Sequence, residues 1–336
     1  MASLLFSAAL FLSALLLFSV QPLIARMLLP YLGGSPAVWN TCMVFFQVML
    51  LIGYLYAHIL PSKVGIRRHA LIHLVLLLVA ALGLPIAVST RAIASIPSSA
   101  SGAPVWLMAT LLTTVGLPFF ILSTNAPLLQ SWFANTGHSR ARDPYFLYAA
   151  SNFGSLLALL SYPVLLEPNL KLREQSLLWT AVYGLAFALI LTCAVVFIRS
   201  AQKTSDETSV NDLKSDVLIS WAQRLKWILL ALVPSSLMLG VTSYISIDLA
   251  PVPLLWVVPL SIYLLSFILQ FSKGKATTRF WGRYLVPLLA LPVVVTLATG
   301  ANQPQWVAVL VHLTFFFAAC MVCHGDWRMI VQVLST

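Results

Sequence analysis

The chain has 336 residues, 60% of them apolar or aromatic and only 8% charged. A soluble domain usually carries about 25% charged residues. Nine acids and nineteen bases cannot cover a soluble surface of this size, which excludes an ordinary cytosolic enzyme and a disordered chain.

A polytopic membrane protein remains. A membrane helix needs roughly 20 apolar residues to cross about 30 Å of hydrocarbon. Stretches free of Asp, Glu, Lys and Arg therefore mark the expected spans. Residues 1–25 form the first, with Gln21-Pro22 as a breaker-plus-amide pair. Such a pair either kinks the helix or offers the amide to a ligand. Pro30, Gly33, Gly34 and Pro36 separate it from a second span at 37–60. The third covers 69–90. A loop at 97–104 leads into the fourth, from about Val105, which carries a second breaker pair at Asn125-Ala-Pro127. The fifth covers 144–166, where Asp143 and Pro144 are suited to cap its start. The sixth covers 175–198, the seventh 227–247 and the eighth 249–272. A run at 284–325 is too long for one crossing, and Gly300-Ala-Asn-Gln-Pro304 cuts it into the ninth and tenth. Continuously apolar segments of this kind fit helices rather than the alternating strands of a membrane barrel.

The basic residues give an orientation. With Met1 in the cytoplasm, inner loops hold Lys63, Arg67, Arg68, Arg140, Arg142, Arg199, Lys203, Lys214, Arg224, Lys226, Lys273, Lys275, Arg279, Arg283 and Arg328. The outer side keeps Arg26, Arg91, Lys171 and Arg173. This is the positive-inside bias, and it puts both termini in the cytoplasm. Nine of the ten Trp fall near expected helix ends, Trp132 and Trp179 among them, as a headgroup-level belt requires. The net charge of +10 is spread over five inner segments, so it does not call for nucleic acid.

The longest polar stretch, 199–223, reads as a cytoplasmic linker. It divides a six-helix membrane half (1–198) from a second, four-helix half (224–325), followed by a short cytoplasmic tail (326–336). Six helices, a long inner loop and a second bundle resemble the major facilitator plan. The halves echo each other weakly: Trp39 opens the second helix and Trp256 the eighth, each followed by a basic inner loop.

The fifth helix offers the most informative face. Tyr148, Ser151, Asn152, Ser155, Leu159 and Tyr162 recur at steps of three and four. In lipid such a face either packs on other helices or lines a wet pathway. Asp248 stands about 33 Å along a helix from Lys226. It reads either as an interfacial helix end or as a cation-attracting residue at an outer gate. Gln21, Asn125, Tyr148, Ser151, Asn152, Ser155 and Asp248 are therefore the substrate-binding candidates. His58 and His73 flank the basic loop after the second helix and read as interfacial groups in preference to proton relays.

Cys42, Cys193, Cys320 and Cys323 all fall in expected helices and imply no disulfide framework. Cys320-Met-Val-Cys323-His324 matches a haem-attachment pattern, but it lies in or just below a span, where small thiols pack between helices. No catalytic constellation, metal-ligand cluster or cofactor loop emerges, so no catalysis, metal or cofactor is expected of this chain.

Four strings are specific. Gln21-Pro-Leu-Ile-Ala25, Gly33-Gly-Ser-Pro-Ala-Val-Trp39, Asp143-Pro-Tyr-Phe-Leu-Tyr-Ala-Ala-Ser-Asn152 and Pro234-Ser-Ser-Leu-Met-Leu-Gly240 resemble the bacterial fused facilitator/spermidine-synthase-like membrane proteins, over about residues 4–325. The resemblance implies a multi-pass protein of the bacterial inner membrane, a facilitator-like bundle and a link to polyamine metabolism. It also implies further helices and a soluble aminopropyltransferase-like partner domain. Neither follows His324-Gly325 here, which suggests truncation or a frameshift. The expected function is transport of a small molecule by the helical domain. The alternative is a non-transporting anchor or sensor for the soluble domain.

Overall fold

The computed structural model describes residues 2–33, 36–97, 99, 102–138, 141, 145–207, 220–245, 257–271, 281–300 and 304–335. Among them the fold is all-α, with no strand. They fall into two compact units, Met1–Thr208 and Ser209–Thr336.

In the first unit α1 (Ala2–Leu32) runs through Pro22 and Pro30 and ends at Gly33, whose φ of 68° only glycine adopts cheaply. The expected break at Pro30 is therefore corrected. A proline removes one N–H, and here the helix continues for two more residues before the left-handed glycine stops it. Helix α2 (Pro36–Val64) likewise passes Pro61 and ends at Gly65, φ 79°. Helix α3 (Ile66–Ala81) is shorter than the expected 69–90, because Gly83 and Pro85 follow. The non-helical strip after it is held by the Ser176 hydroxyl, which donates to the Ile86 carbonyl at 2.6 Å. A single turn, α4 (Thr90–Ala94), is capped by Ser89. Then come α5 (Ala103–Leu111), α6 (Leu117–Ala134), α7 (Tyr145–Ser161), α8 (Glu167–Asn169) and α9 (Leu172–Glu207). Of the loop expected at 97–104, the described residues 97, 99 and 102 are non-helical, while Ala103 and Pro104 already form the first turn of α5. The start of the linker is corrected: residues 199–207 extend α9. Asp143 and Pro144 lie outside the described residues.

Helix α1 is the axis of this unit and packs against α7, α9 and α6, while α2 packs against α5 and α6. Two glycines set the closest approaches. A Cβ on Gly154 would lie 3.1 Å from the Phe11 carbonyl carbon of α1 and nearer still to its oxygen. A Cβ on Gly53 would run into the Ser123 side chain of α6. Small residues at helix crossings are how membrane helices gain packing where water provides no drive.

In the second unit α10 (Trp221–Tyr244) opens with a capping box, Ser220 to Gln223, and passes Pro234. Helices α11 (Val257–Phe271) and α12 (Val286–Thr299) follow, and α12 is capped by Gly300, φ 64°. Residues 301–303 are outside the described set. Helix α13 (Gln305–Ser335) packs against α10, α11 and α12. The tail expected at 326–336 is corrected as far as Ser335: no proline interrupts α13, and the helix continues across Gly325.

Among the described residues, three complete five-residue π-helical turns interrupt the rods, at Leu112–Gly116, Tyr162–Leu166 and Trp281–Leu285. Each contains or closely precedes a proline, namely Pro118, Pro163 or Pro287. A proline has no N–H for the carbonyl four residues back, and a wide turn reroutes the ladder around the missing donor.

Among the described residues seven helices are long and apolar enough to cross a membrane, and the chain is read accordingly as a membrane-embedded all-α protein. Three shorter apolar helices, Arg68–Ala81, Val257–Phe271 and Val286–Thr299, stand where the other three spans were expected.

Candidate functional site

The first unit buries a polar chain in an otherwise apolar core. Asn125 of α6 is fully buried and bridges two helices. Its Nδ2 donates to Ser13 Oγ of α1 at 2.9 Å, and its Oδ1 lies 2.8 Å from His73 Nε2 of α3. Thr124 Oγ1 lies 3.5 Å from the other ring nitrogen, Nδ1, and donates to the Ile121 carbonyl at 2.7 Å. One turn along α3, His69 Nε2 accepts from Trp132 Nε1 at 2.6 Å. Trp132 stacks on Phe197 of α9 with centroids 5.6 Å apart.

Depth follows from helix arithmetic. Ser13 is about 17 Å along α1 from Ala2, and His73 about 10 Å along α3 from Ile66. Both are buried inside the bundle. His73 is therefore not interfacial, because α6 and α1 close over it and give it partners. Trp132 and Trp179 need the same correction. Both are buried inside the bundle instead of facing headgroups, and Trp179 Nε1 donates to the Leu16 carbonyl at 3.1 Å.

The expected site residues disperse. Gln21 is half-buried, and its Nε2 donates to the Leu17 carbonyl at 3.3 Å, within its own helix. Ser155 is buried and donates to the Ser151 carbonyl at 3.1 Å. Asn152 and Ser151 are half-buried, and Tyr148 is exposed. The seam that α7 turns inward runs through Leu147, Gly154, Ser155, Ala158, Leu159 and Tyr162. It is rotated from the polar face toward Gly154, where α1 comes closest. Asp248 lies outside the described residues. Of the candidates only Asn125 joins the buried chain. Ser13, His73, Thr124, His69 and Trp132 escape a reading of single helices. Their one signal was the i, i+4 pair His69 and His73.

At the other end of α1, Arg26 forms an ion pair with Glu167 of α8. Close by in sequence, Tyr162 donates to Gln175 Oε1 at 2.9 Å, and Gln175 Nε2 donates to the Leu170 carbonyl at 2.9 Å. These contacts tie α1, the wide turn of Tyr162–Leu166 and α9 at the expected outer side.

In the second unit His324 packs face to face with Phe267, centroids 3.7 Å apart, and edge-on to Tyr263. Its Nδ1 lies 2.8 Å from Ser266 Oγ, and that hydroxyl donates to the Tyr263 carbonyl at 2.6 Å. Gln270 donates to the Met321 carbonyl, and Arg328 to the Gln270 carbonyl. Cys320 and Cys323 are free and buried. These side chains join α11 to α13. Among the described residues no group of three or more His, Cys, Asp or Glu could hold a metal ion.

No protein-family model matches the chain, and no curated protein matches it.

Proposed function

We propose that the chain is a ten-span, facilitator-like transporter of the bacterial inner membrane, with both termini cytoplasmic and the transport bundle in the first unit. The resemblance in four strings supplies its setting, polyamine metabolism. The observation that carries the proposal is the buried chain Ser13–Asn125–His73 across α1, α6 and α3. Polar groups at membrane depth are costly, and those facing a bundle interior mark substrate and ion pathways. We assign the chain no catalytic step.

Transport is tested with the full chain in proteoliposomes and radiolabelled putrescine and spermidine. Accumulation above protein-free vesicles is expected. In the same vesicles, Cys at 148 and 152 should react with a water-soluble thiol reagent, Cys at the buried position 155 should not, and Cys at 153 should not because Phe153 is 53% exposed on a lipid-compatible face. No uptake and no labelling would refute a pathway and favour the membrane-anchor alternative.

Topology is tested separately. Reporter fusions after Lys63, Arg142, Lys214 and Lys275 are all expected to report the cytoplasm, given the basic residues clustered there. One fusion reporting the outside would remove a span from the count.

A further inference from the structure

We infer that the row Asn40, Gln47, Tyr54 and His58 on α2 is a wetted wall of the transport pathway, where a small amine- or hydroxyl-bearing solute exchanges water for side-chain hydrogen bonds. Contact with a solute rests on the transport proposal above; the wetness of the row does not.

Helix α2 is divided lengthwise. Cys42, Phe45, Phe46, Met49 and Gly53 are buried. Gly53 is where α6 comes closest. The exposed residues of the helix are not alike. At 100° per residue, Asn40, Gln47, Tyr54 and His58 fall within a sector of about 40°. Val48, Ile52, Leu55 and Ile59 form a second exposed edge, about 100° further round, and all four are aliphatic. Val44 and Leu51 lie between the two.

Lipid tails accept the aliphatic edge without loss. The polar edge is a different matter. Its four side chains make no hydrogen bond to any described residue. Gln47 and Tyr54 are the eighth and fifteenth residues of the 25-residue candidate span Asn40–Val64. Each is at least about 10 Å from either end of it, too far to reach a headgroup. A polar group left unpaired in hydrocarbon is costly, so something polar meets this edge.

Water fits it better than another helix does. Close helix crossings in this unit are made at small residues, Gly53 against Ser123 and Gly154 against Phe11. The polar edge has no Gly, Ala or Ser, so its long side chains hold any neighbouring rod away. Its polar groups also recur along the whole span, at axial steps of about 10, 10 and 6 Å. One amide is enough to lock a pair of helices. A series from end to end serves a solute that crosses in steps. Amide and phenol groups both donate and accept, so each step can take over a hydrogen bond from water. The row meets no Lys or Arg before Lys63, so an ammonium group passes no fixed positive charge until the basic end of α2.

The test uses the full chain in proteoliposomes with substitutions at neighbouring positions of equal depth. Gln47→Cys is compared with Val48→Cys, and Tyr54→Cys with Leu55→Cys. Labelling by a water-soluble maleimide is scored site by site by peptide mass spectrometry. The native Cys42, Cys193, Cys320 and Cys323 are buried and serve as the unreactive reference. A thiol in water ionises and reacts, and one in hydrocarbon does not, so labelling at 47 and 54 should be at least about tenfold faster than at 48 and 55. Saturating putrescine should slow it at 47 and 54. Equal rates within each pair, or no reaction at 47 and 54, overturns the wall. The expected pattern in a chain that accumulates no putrescine keeps the wet row and removes the transport proposal. Uptake with no labelling at 47 and 54 keeps transport and removes the row.

Discussion

Replacing Gly154 with leucine is expected to stop the first unit from assembling, and alanine there should cost about 2 kcal/mol. The first side-chain carbon at 154 would meet the backbone of Phe11, 3.1 Å from its carbonyl carbon and 3.2 Å from its Cα. Backbone in the middle of α1 cannot swing aside as a flexible side chain can. Helix α1 is also held by α6 and α9, so moving it away from α7 disturbs three interfaces. The neighbouring Phe11 and Phe153 rings, 5.8 Å apart, would separate as well. Fluorescence-detected size exclusion of the solubilised chain should show no monodisperse peak for Gly154→Leu and a lower melting temperature for Gly154→Ala. Gly184→Ala is the comparison. A Cβ there meets nothing within 4 Å, and the helix should gain about 0.5–1 kcal/mol.

Asn125→Leu should give the second large loss, about 2 kcal/mol, with the helices still formed. The substitution strips partners from the His73 Nε2–H and from Ser13 Oγ, and both residues stay buried among apolar neighbours. Each buried group left unpaired costs about 1–3 kcal/mol, although measured interhelical bonds in membranes average only about 0.6. The two orphaned partners together place the expected loss between those limits. Gln47→Leu, on an exposed face of α2, should be neutral or slightly stabilising. Thermal melts of the two variants side by side check the difference. Equal melting temperatures would show that the Ser13–Asn125–His73 chain contributes nothing to holding the bundle.

How much of this was legible in the sequence depends on what each signal measures. Hydropathy reports whether a segment can cross apolar surroundings. It placed the break at Gly300-Ala-Asn-Gln-Pro304 and the loop before Ala103 well, since both are set by local chemistry. It does not report which neighbour a residue meets. Membrane helices are apolar on every side, so the contrast that marks the buried face of a soluble helix is missing. Trp132 and Trp179 therefore looked like belt residues by position, though their indoles point into the bundle. His73 looked interfacial beside Arg67 and Arg68, though α3 turns it toward Asn125, 52 residues away in sequence. The polar face of α7 was read correctly as a periodicity, but its inward seam is set by Gly154, whose importance lies in the side chain it lacks. Pro30 misled in the other direction, since α1 continues past it to Leu32.

The wide turns beside Pro118, Pro163 and Pro287 behave like dislocations in a crystal. One extra residue is accommodated locally, and everything beyond it is offset by about 100° from the angular register of an unbroken helix. Such a defect can travel along a helix only if each residue in turn exchanges its N–H partner, and a proline has none to exchange. The prolines therefore pin the defects. Deleting one residue from 112–116 would be nearly silent in composition and hydropathy, yet it would turn Asn125 and Trp132 away from His73 and His69. Two chains differing only by that deletion would share a hydropathy profile and present different interiors.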